Sequence, residues 1–513
     1  MSKRRKPAPA PAAAPAPPPP RRRAYEGATV SRLTADWVTS STSADAEIDG
    51  SLVRLRNRSR QLCRDNAYAR QALRAIGQNV IGQGIRMQAH VPGAGGMIDQ
   101  PTSQAIEQLW RRWTRHDYCH CAGRLAFEEI ARLAIQAMAE SGDVFIRLVP
   151  QSFGRSPVPL GLEILEADLV DEGKTEGPDR DGNEWRLGVR VHRWGRPITY
   201  RFRTRHPGDV AGSIGYSFVD VPAEEVIHLA IIDRPGQTRG VPWFSAAIKR
   251  LHHLAGYEEA EVVRARASSS LMGFISSPEG ELIGDDVDGA DRVSNFEPGV
   301  FKYLAPGEQV SVPQLDAPDG QFEPFLRAML RAVAASIGCS YETVSRDFSQ
   351  SNYSSSRLSL LEDREHWRML QQHLIDHLYW PVFERWIQIA IGTGALQLPG
   401  GATPDLYHRI VRWFPRGWGW VDPAKEIAAY KDAVRCGFAT QAQIVAEQGH
   451  DLEDLLQGRA VEVRRAEQLG LQFDTNPADD REGGAPRATP AQPDEVEDPE
   501  DEDEDDAPEE LPT

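Results

Sequence analysis

Arg346-Asp-Phe-Ser-Gln-Ser-Asn-Tyr-Ser-Ser-Ser-Arg-Leu-Ser-Leu-Leu-Glu-Asp-Arg-Glu-His-Trp367 begins as a polar, serine-rich stretch lying between two amphipathic segments. Upstream, Phe322, Phe325, Leu326, Met329, Leu330, Val333 and Ile337 fall at offsets 0, 3, 4, 7, 8, 11 and 15. That spacing is a continuous apolar stripe on one helix from about Phe322 to Ile337. Downstream, a long helix is predicted from about Ser356, with Leu361, Leu370, Leu374 and Leu378 on its apolar face. Pro381 should kink or interrupt it. The loop between, residues 345–356, offers hydroxyls and amides without a nucleophile–base pair, a metal cluster or a phosphate cradle. A polar loop carried on two helices is what a ring-forming subunit needs to line a pore.

Outward from this centre, the chain reads as an α+β protein. One helical pattern runs from about Ser51 to Ile81 and ends at Gly82 and Gly84. Others cover Thr102 to Arg115, with Ile106, Leu109 and Trp113 on one side, and Phe127 to Ser141. Strand-like alternation follows at Val144–Val149, Leu162–Leu165, Val189–His192, Ile198–Phe202 and Val226–Ile232, with turns at Asp181-Gly182 and Trp194-Gly195. After a break at Pro235–Gly240, Pro242 opens a helix from about Trp243 to Ser270, with Ile248, Leu251, Leu254, Tyr257 and Val262 on one side. Residues 271–318 are turn-rich. Trp413-Phe-Pro-Arg-Gly-Trp-Gly-Trp420 reads as a rigid aromatic loop. Asp422 caps a final helical module at about 423–436, 440–448 and 451–468.

Charge separates the ends from the body. Residues 1–23 hold seven basic residues, no acid and many Pro and Ala, which predicts an extended, mobile arm. Residues 472–513 hold 17 acids against Arg481 and Arg487, which predicts a solvated acidic tail. Of the net −17, about −9 then falls on residues 24–471. A protein that grips duplex DNA through its phosphates needs a basic face. A mildly acidic wall suits DNA that must slide. The excess of arginine over lysine, 51 to 7, reads as a GC-rich genome. No run approaches the ~18 apolar residues of a membrane span, and the basic N-terminus lacks a signal-peptide pattern. The expectation is work in a cytoplasm or in an assembly built there. Five scattered cysteines argue against a disulfide framework.

The candidates for chemistry fail on spacing. In His116-Asp-Tyr-Cys-His-Cys121 the cysteines are separated by one residue and have no second cluster, so buried or partly buried thiols are the better reading. Glu172-Gly-Lys-Thr175 resembles the end of a phosphate loop, but Asp168 stands where the first glycine belongs. Glu224, Glu225 and His228 read as a polar turn entering a strand. His366, His373 and His377 lie on a helix, the last two sharing a face. Neither a catalytic residue, a metal nor a cofactor is called for, and an ATP-hydrolysing motor would have to be a partner.

Several blocks resemble the lambda-type portal proteins of tailed bacteriophages, in the same order and across most of residues 50–475. They are Arg58-Ser-Arg-Gln-Leu-Cys-Arg-Asp-Asn-Ala-Tyr-Ala69, Asn79-Val-Ile-Gly-Gln-Gly-Ile85, Glu140-Ser-Gly-Asp-Val-Phe145, Asp233-Arg-Pro-Gly-Gln-Thr-Arg-Gly-Val-Pro-Trp243, Phe296-Glu-Pro-Gly299, Leu304-Ala-Pro-Gly-Glu308 and Ile337-Gly-Cys-Ser-Tyr-Glu-Thr-Val344.

The resemblance implies a portal fold with wing, stem helices, β-containing clip and helical crown, assembled as a ring, usually of twelve subunits, at one capsid vertex. It assigns residues 25–235 to the wing, 236–270 to the first stem helix and 271–318 to the clip. Residues 319–344 become the second stem helix, 345–356 the tunnel loop, 357–421 the long wing helix and return strands, and 422–471 the crown. Composition, not the resemblance, makes residues 1–24 a disordered arm and 472–513 a disordered tail. It implies that Arg346, Ser349, Gln350, Ser351, Asn352 and Tyr353 face the DNA, and that Phe322, Phe325, Leu326, Met329, Leu330 and Val333 pack the stem. The implied partners are further copies of the chain, the terminase large subunit, major capsid and scaffold proteins, neck or head-completion proteins, and double-stranded DNA in transit, with no membrane. The implied location is the virion, after assembly in the bacterial host cytoplasm. The rival readings are a nucleic-acid-processing enzyme of the packaging machinery, which needs clustered carboxylates and a divalent metal, and a monomeric acidic scaffold.

Overall fold

The first four N–H groups of a helix have no partner within it, and short polar side chains at its start accept them. In a computed structural model, which describes residues 28–93, 98–209, 215, 217–269, 274–276, 309–311, 322–350, 352–398, 410–419 and 422–471, these caps set most helix starts. Ser43 caps α1 (Ala44–Asp49). α2 (Leu52–Asp65) is followed by Asn66, which is extended and accepts from Tyr68 and Ala69 N–H to start α3 (Ala67–Val80). The single helix expected from Ser51 to Ile81 is therefore two, because the Asn66 side chain competes with the helical backbone. β1 (Arg86–Ala89) follows, then α4 (Gln100–Trp113), capped by Asp99. Trp110 rather than Leu109 fills the buried face of α4. The turn α5 (His116–Cys119) leads to α6 (Phe127–Ser141), the span its spacing predicts.

Two antiparallel sheets follow. β2 (Asp143–Val149), β3 (Gly161–Glu166) and β8 (Val226–Ala230) form one in the order β3-β2-β8. β4 (Glu184–Arg186), β5 (Val189–Val191), β6 (Pro197–Arg203) and β7 (Phe218–Pro222) form the other in sequence order. They share one apolar core: Phe145 of β2 packs with Val189, Val191, Tyr200, Phe202 and Val221. α6 covers β2 and packs against α2 and α3.

The Asp233–Trp243 block locks onto β2. Arg239 and Asp143, both fully buried, pair through Nε at 2.5 Å and Nη2 at 3.2 Å. Arg239 also donates to Leu187 O and Ala167 O, at 3.1 and 3.3 Å. Beside this pair two backbones touch. A Cβ on Gly240 would stand 2.0 Å from Gly142 O, and Gly142 holds φ at 94°. Only glycine fits such an approach. Two of the blocks that carry the family resemblance are thus one packing device.

Beyond the sheets come α7 (Ile248–Ser269), the short strands β9 (Phe274–Ser276) and β10 (Gln309–Ser311), α8 (Phe322–Ile337), α9 (Tyr341–Ser345) and α10 (Tyr353–Leu374). Most of residues 271–318, and both chain ends, lie outside the described residues. Val262, expected on the inner side of α7, is exposed. α10 starts at Tyr353 rather than near Ser356, because Asn352 caps it in a reciprocal pair with Ser355. Leu361 is exposed, and Trp367 joins Leu370, Leu374 and Leu378 inside.

Pro381 does not end the helix. A π-helical turn, Ile375–Tyr379, carries α10 into α11 (Trp380–Gly392), with Trp380 N–H bonding back to Ile375 O. The wider turn just before Pro381 carries the helix past a residue that has no N–H to donate. The ring of Trp110 meets Trp113, Phe127, Phe383, Trp386 and Trp413 with centroids 5.0 to 5.8 Å apart. Trp413 and Phe414, expected in a loop, belong to β11 (Val411–Phe414), which pairs antiparallel with β1. Trp420 lies outside the described residues.

The chain divides after Arg416. The second unit contains α12 (Pro423–Arg435), α13 (Gln441–Glu447) and α14 (Leu452–Leu469), capped by Asp422, Thr440 and Asp451. Among the described residues no helix is long and apolar enough to cross a membrane.

Candidate channel-lining loop and helices

α7 and α8 meet through aromatic rings. Tyr257 lies 5.7 Å from Phe322 and 4.9 Å from Phe325, the second contact edge-on. Of the six predicted packing residues, Leu330 and Val333 are buried within the chain. Phe322, Leu326 and Met329 are half-buried, and Phe325 is 44% exposed. The stripe is therefore covered at its C-terminal end and open toward Phe325. Spacing alone missed Arg327, which is buried on α8 and pairs with Glu323 at 2.5 Å and Asp347 at 3.7 Å.

The loop is short, with a rigid base. Ser340 caps α9. Asp363, buried on α10, accepts from Ser340 N, Ser340 Oγ and Thr343 Oγ1, each at 2.7 Å. Gln71 of α3 donates to Thr343 O at 3.3 Å. Arg346 then turns the chain with φ 59°, a left-handed conformation uncommon outside glycine. Asp347 accepts from Tyr341 Oη at 2.7 Å and Ser349 N at 3.0 Å. The Ser349 hydroxyl and N–H, with Tyr341, hold the Asp347 carboxyl down at about 2.

Of the predicted DNA-facing residues, Arg346, Ser349, Gln350 and Asn352 are exposed on this turn. Ser351 and the Tyr353 side chain lie outside the described residues. Phe348, an exposed ring in the middle of the loop, was not singled out by the sequence reading. Behind the loop lies a cavity of about 290 Å³, lined by Asn79, Ser340, Arg346, Phe348, Ser359 and Trp367 among others. The arrangement offers a polar tip on a braced base, with Arg346 and Asp347 adding one charge of each sign.

Several of the residues weighed for chemistry sit in structural roles. Cys119 is buried and donates to Thr114 O at 3.4 Å. Burial, foremost, pushes its thiol up to about 12. His120 Nδ1 accepts from Arg124 and Leu125 N–H. Lys174 pairs with Glu176, and the strand β4 rather than a helix follows its loop. Glu225 faces Arg147 at 3.7 Å, and His228 Nε2 lies 3.4 Å from Asp143. Glu166, Asp168 and His206 group their donor atoms within 4.8 Å. Arg60 already stands 2.6 Å from Asp168 and 3.7 Å from Glu166, and Arg56 lies 3.2 Å from Asp168.

Comparison with known proteins gives one consistent result. The sequence profile described as "Phage portal protein, lambda family" matches residues 30–371. The probable portal protein of Halomonas phage phiHAP-1 is 30% identical over 464 residues, covering 88% of each chain. Portal protein B of Escherichia phage lambda is 20% identical over 472 residues, covering 85% of this chain and 88% of its own. Among solved structures, a chain in the neck of an empty gene transfer agent particle aligns with 79% of this chain and 94% of its own, at 15% identity and a TM-score of 0.43. With two thirds of its length matched by the family profile and a relative aligned almost end to end, the chain belongs to the lambda family of phage portal proteins.

Proposed function

We propose that copies of this portal protein close side by side into a ring, twelve in number, around the axial channel of one capsid vertex, through which double-stranded DNA is packaged and ejected. Residues 236–270 and 319–344 are the stem, and the tunnel loop places Arg346, Ser349, Gln350, Ser351, Asn352 and Tyr353 toward the DNA. Residues 271–318 are the clip that docks the terminase large subunit and later the neck proteins. The wing, residues 25–235, meets the major capsid and scaffold proteins, and residues 422–471 form the crown. The subunit itself makes and breaks no bonds. It joins the virion after assembly in the host cytoplasm.

The observation that carries this reading is the loop: a polar, exposed tip braced at its base by Asp363 between two helices. Neutral hydrogen-bonding groups touch a sliding polyanion without the counterion-linked grip of a basic surface. Phe325, Val262 and Val263 remain exposed on the stem helices, where a neighbouring copy would cover them. Light scattering and negative-stain imaging of the purified chain with its scaffold partner test the proposal. Closed particles with an axial hole are expected. A monomer at micromolar concentration, or a particle without a hole, refutes it.

A further inference from the structure

We propose that residues 28–41 of one copy form a strap that docks in a groove on a neighbouring copy, at the open end of the core between its two sheets. This rests on the side-by-side assembly proposed above and names two surfaces that join it.

The strap is folded yet uncovered. Thr34 Oγ1 accepts from Ser31 N and donates to Thr29 O, both at 2.9 Å, and Trp37 N donates to Thr34 O at 3.2 Å. Its C-terminal end is fixed. Asp45 accepts from Thr238 N and Oγ1, both at 2.7 Å, and Arg234 donates to Glu47 at 2.6 Å and to Thr42 O at 3.2 Å. Among the described residues, no hydrogen bond joins residues 28–41 to the rest of the chain. Val30, Leu33, Trp37 and Val38 stand in solvent, Trp37 at 70% exposure. Apolar side chains grouped in this way on a surface mark a contact with another protein.

The groove has a volume of about 920 Å³. Its buried lining includes Tyr200 of β6 and Val226 of β8, both members of the core shared by the two sheets. Trp194, Pro197, Ile198 and Pro222 line it with exposed apolar surface, Trp194 at 80%. The apolar core thus opens to the surface here.

Charge matches the two surfaces. The strap carries Arg32 and Asp36, and the groove is lined by Glu224 and Arg196. All four are exposed, and among the described residues none is ion-paired within its own chain. Arg32 toward Glu224 and Asp36 toward Arg196 give two contacts of opposite sign, which fix the register of an otherwise apolar contact. Strap and groove are different patches of one chain. Such a pair makes a head-to-tail contact, in which every copy gives one surface and accepts the other, and its repetition closes a ring. The two tryptophans alone bury roughly 300 Å², a share of a stable interface rather than all of one.

The test uses full-length chains with the exposed Cys436 replaced, C436S. L33C and I198C are placed on separate chains and together on one chain, then treated with a short bismaleimide. Mixed L33C and I198C chains are expected to give a linked pair that neither gives alone, and L33C/I198C chains a ladder of linked copies. R32E/D36R on the strap chain should slow linking about tenfold, and R196E/E224R on the groove chain should restore it. Circular dichroism confirms that each variant is folded. The proposal is overturned if L33C/I198C links only within one chain, if mixed chains link no faster than either alone, or if the reversed groove restores nothing. Negative-stain imaging of the same samples separates the two readings. Rings without strap-to-groove links refute the strap alone, links without holed particles refute the ring alone, and the absence of both refutes both.

Discussion

Replacing Arg239 with methionine removes a buried charge and keeps most of the side-chain volume. Asp143 would keep only His228 Nε2 at 3.4 Å and Gly240 N at 3.3 Å. Leu187 O and Ala167 O would lose their donor. Breaking one side of a buried ion pair costs roughly 3–5 kcal/mol, and each carbonyl left dry adds roughly 1–3. Protonation of the stranded Asp143 limits the total. The expected loss is about 4 kcal/mol, a large share of the ~5–15 kcal/mol that holds a typical domain together.

The assay is urea unfolding followed by tryptophan fluorescence, repeated across pH. In the parent, burial pushes the Asp143 carboxyl up, but Arg239 and His228 outweigh it and hold it well below the usual carboxylate range. Its contribution is thus complete above about pH 4 and is lost as pH falls. His228, held down mainly by burial, adds a loss below about pH 6.5. In R239M the Asp143 slope should reverse, because an unpaired buried carboxyl prefers its proton. D143L/R239M removes both charges and should recover most of the stability. A single variant within about 1 kcal/mol of the parent, or a double variant no better than R239M, would refute the role assigned to this pair.

Three further outcomes are expected. Glu128 is buried, accepts from Ile85 N and Tyr379 Oη at 3.1 and 2.7 Å, and is pushed up to about 7 mainly by burial. Its folded value exceeds its unfolded one, so stability falls as pH rises from about 4.5 to 7. E128Q should remove that slope, worth about 3 kcal/mol, as read by thermal melts at pH 5 and pH 8; a slope equal to the parent's counts against it. D363A removes three hydrogen bonds from the loop base and should raise amide exchange across residues 338–350, while exchange in α6 stays unchanged. Charge or bulk at Gln350, as in Q350E or Q350W, should stop DNA packaging or retention yet leave rings intact under the microscope. Failure to assemble would make the loop an assembly element.

Local physics was legible in the chain. The spacing of Phe322–Ile337 and Phe127–Ser141 located two helices to the residue, and Asp422 marked the start of α12, because periodicity and caps act within one or two turns. Reading errors arose where two local signals competed. At Asn66 a capping side chain outweighed an unbroken apolar period. At Ile375–Tyr379 a π-helical turn absorbed a proline that should have broken the helix.

The sequence by itself determined the class, the polar character of the loop, the family blocks and several of the helices, since all of these lie in contiguous residues. Only the tertiary structure decided that β1 pairs with β11, that Arg239 closes on Asp143 and that Asp363 braces the loop. The physical reason is range: a residue's neighbours along the chain set its backbone conformation. Its partners across the fold are chosen by how whole helices and sheets pack, which spacing along the chain does not encode.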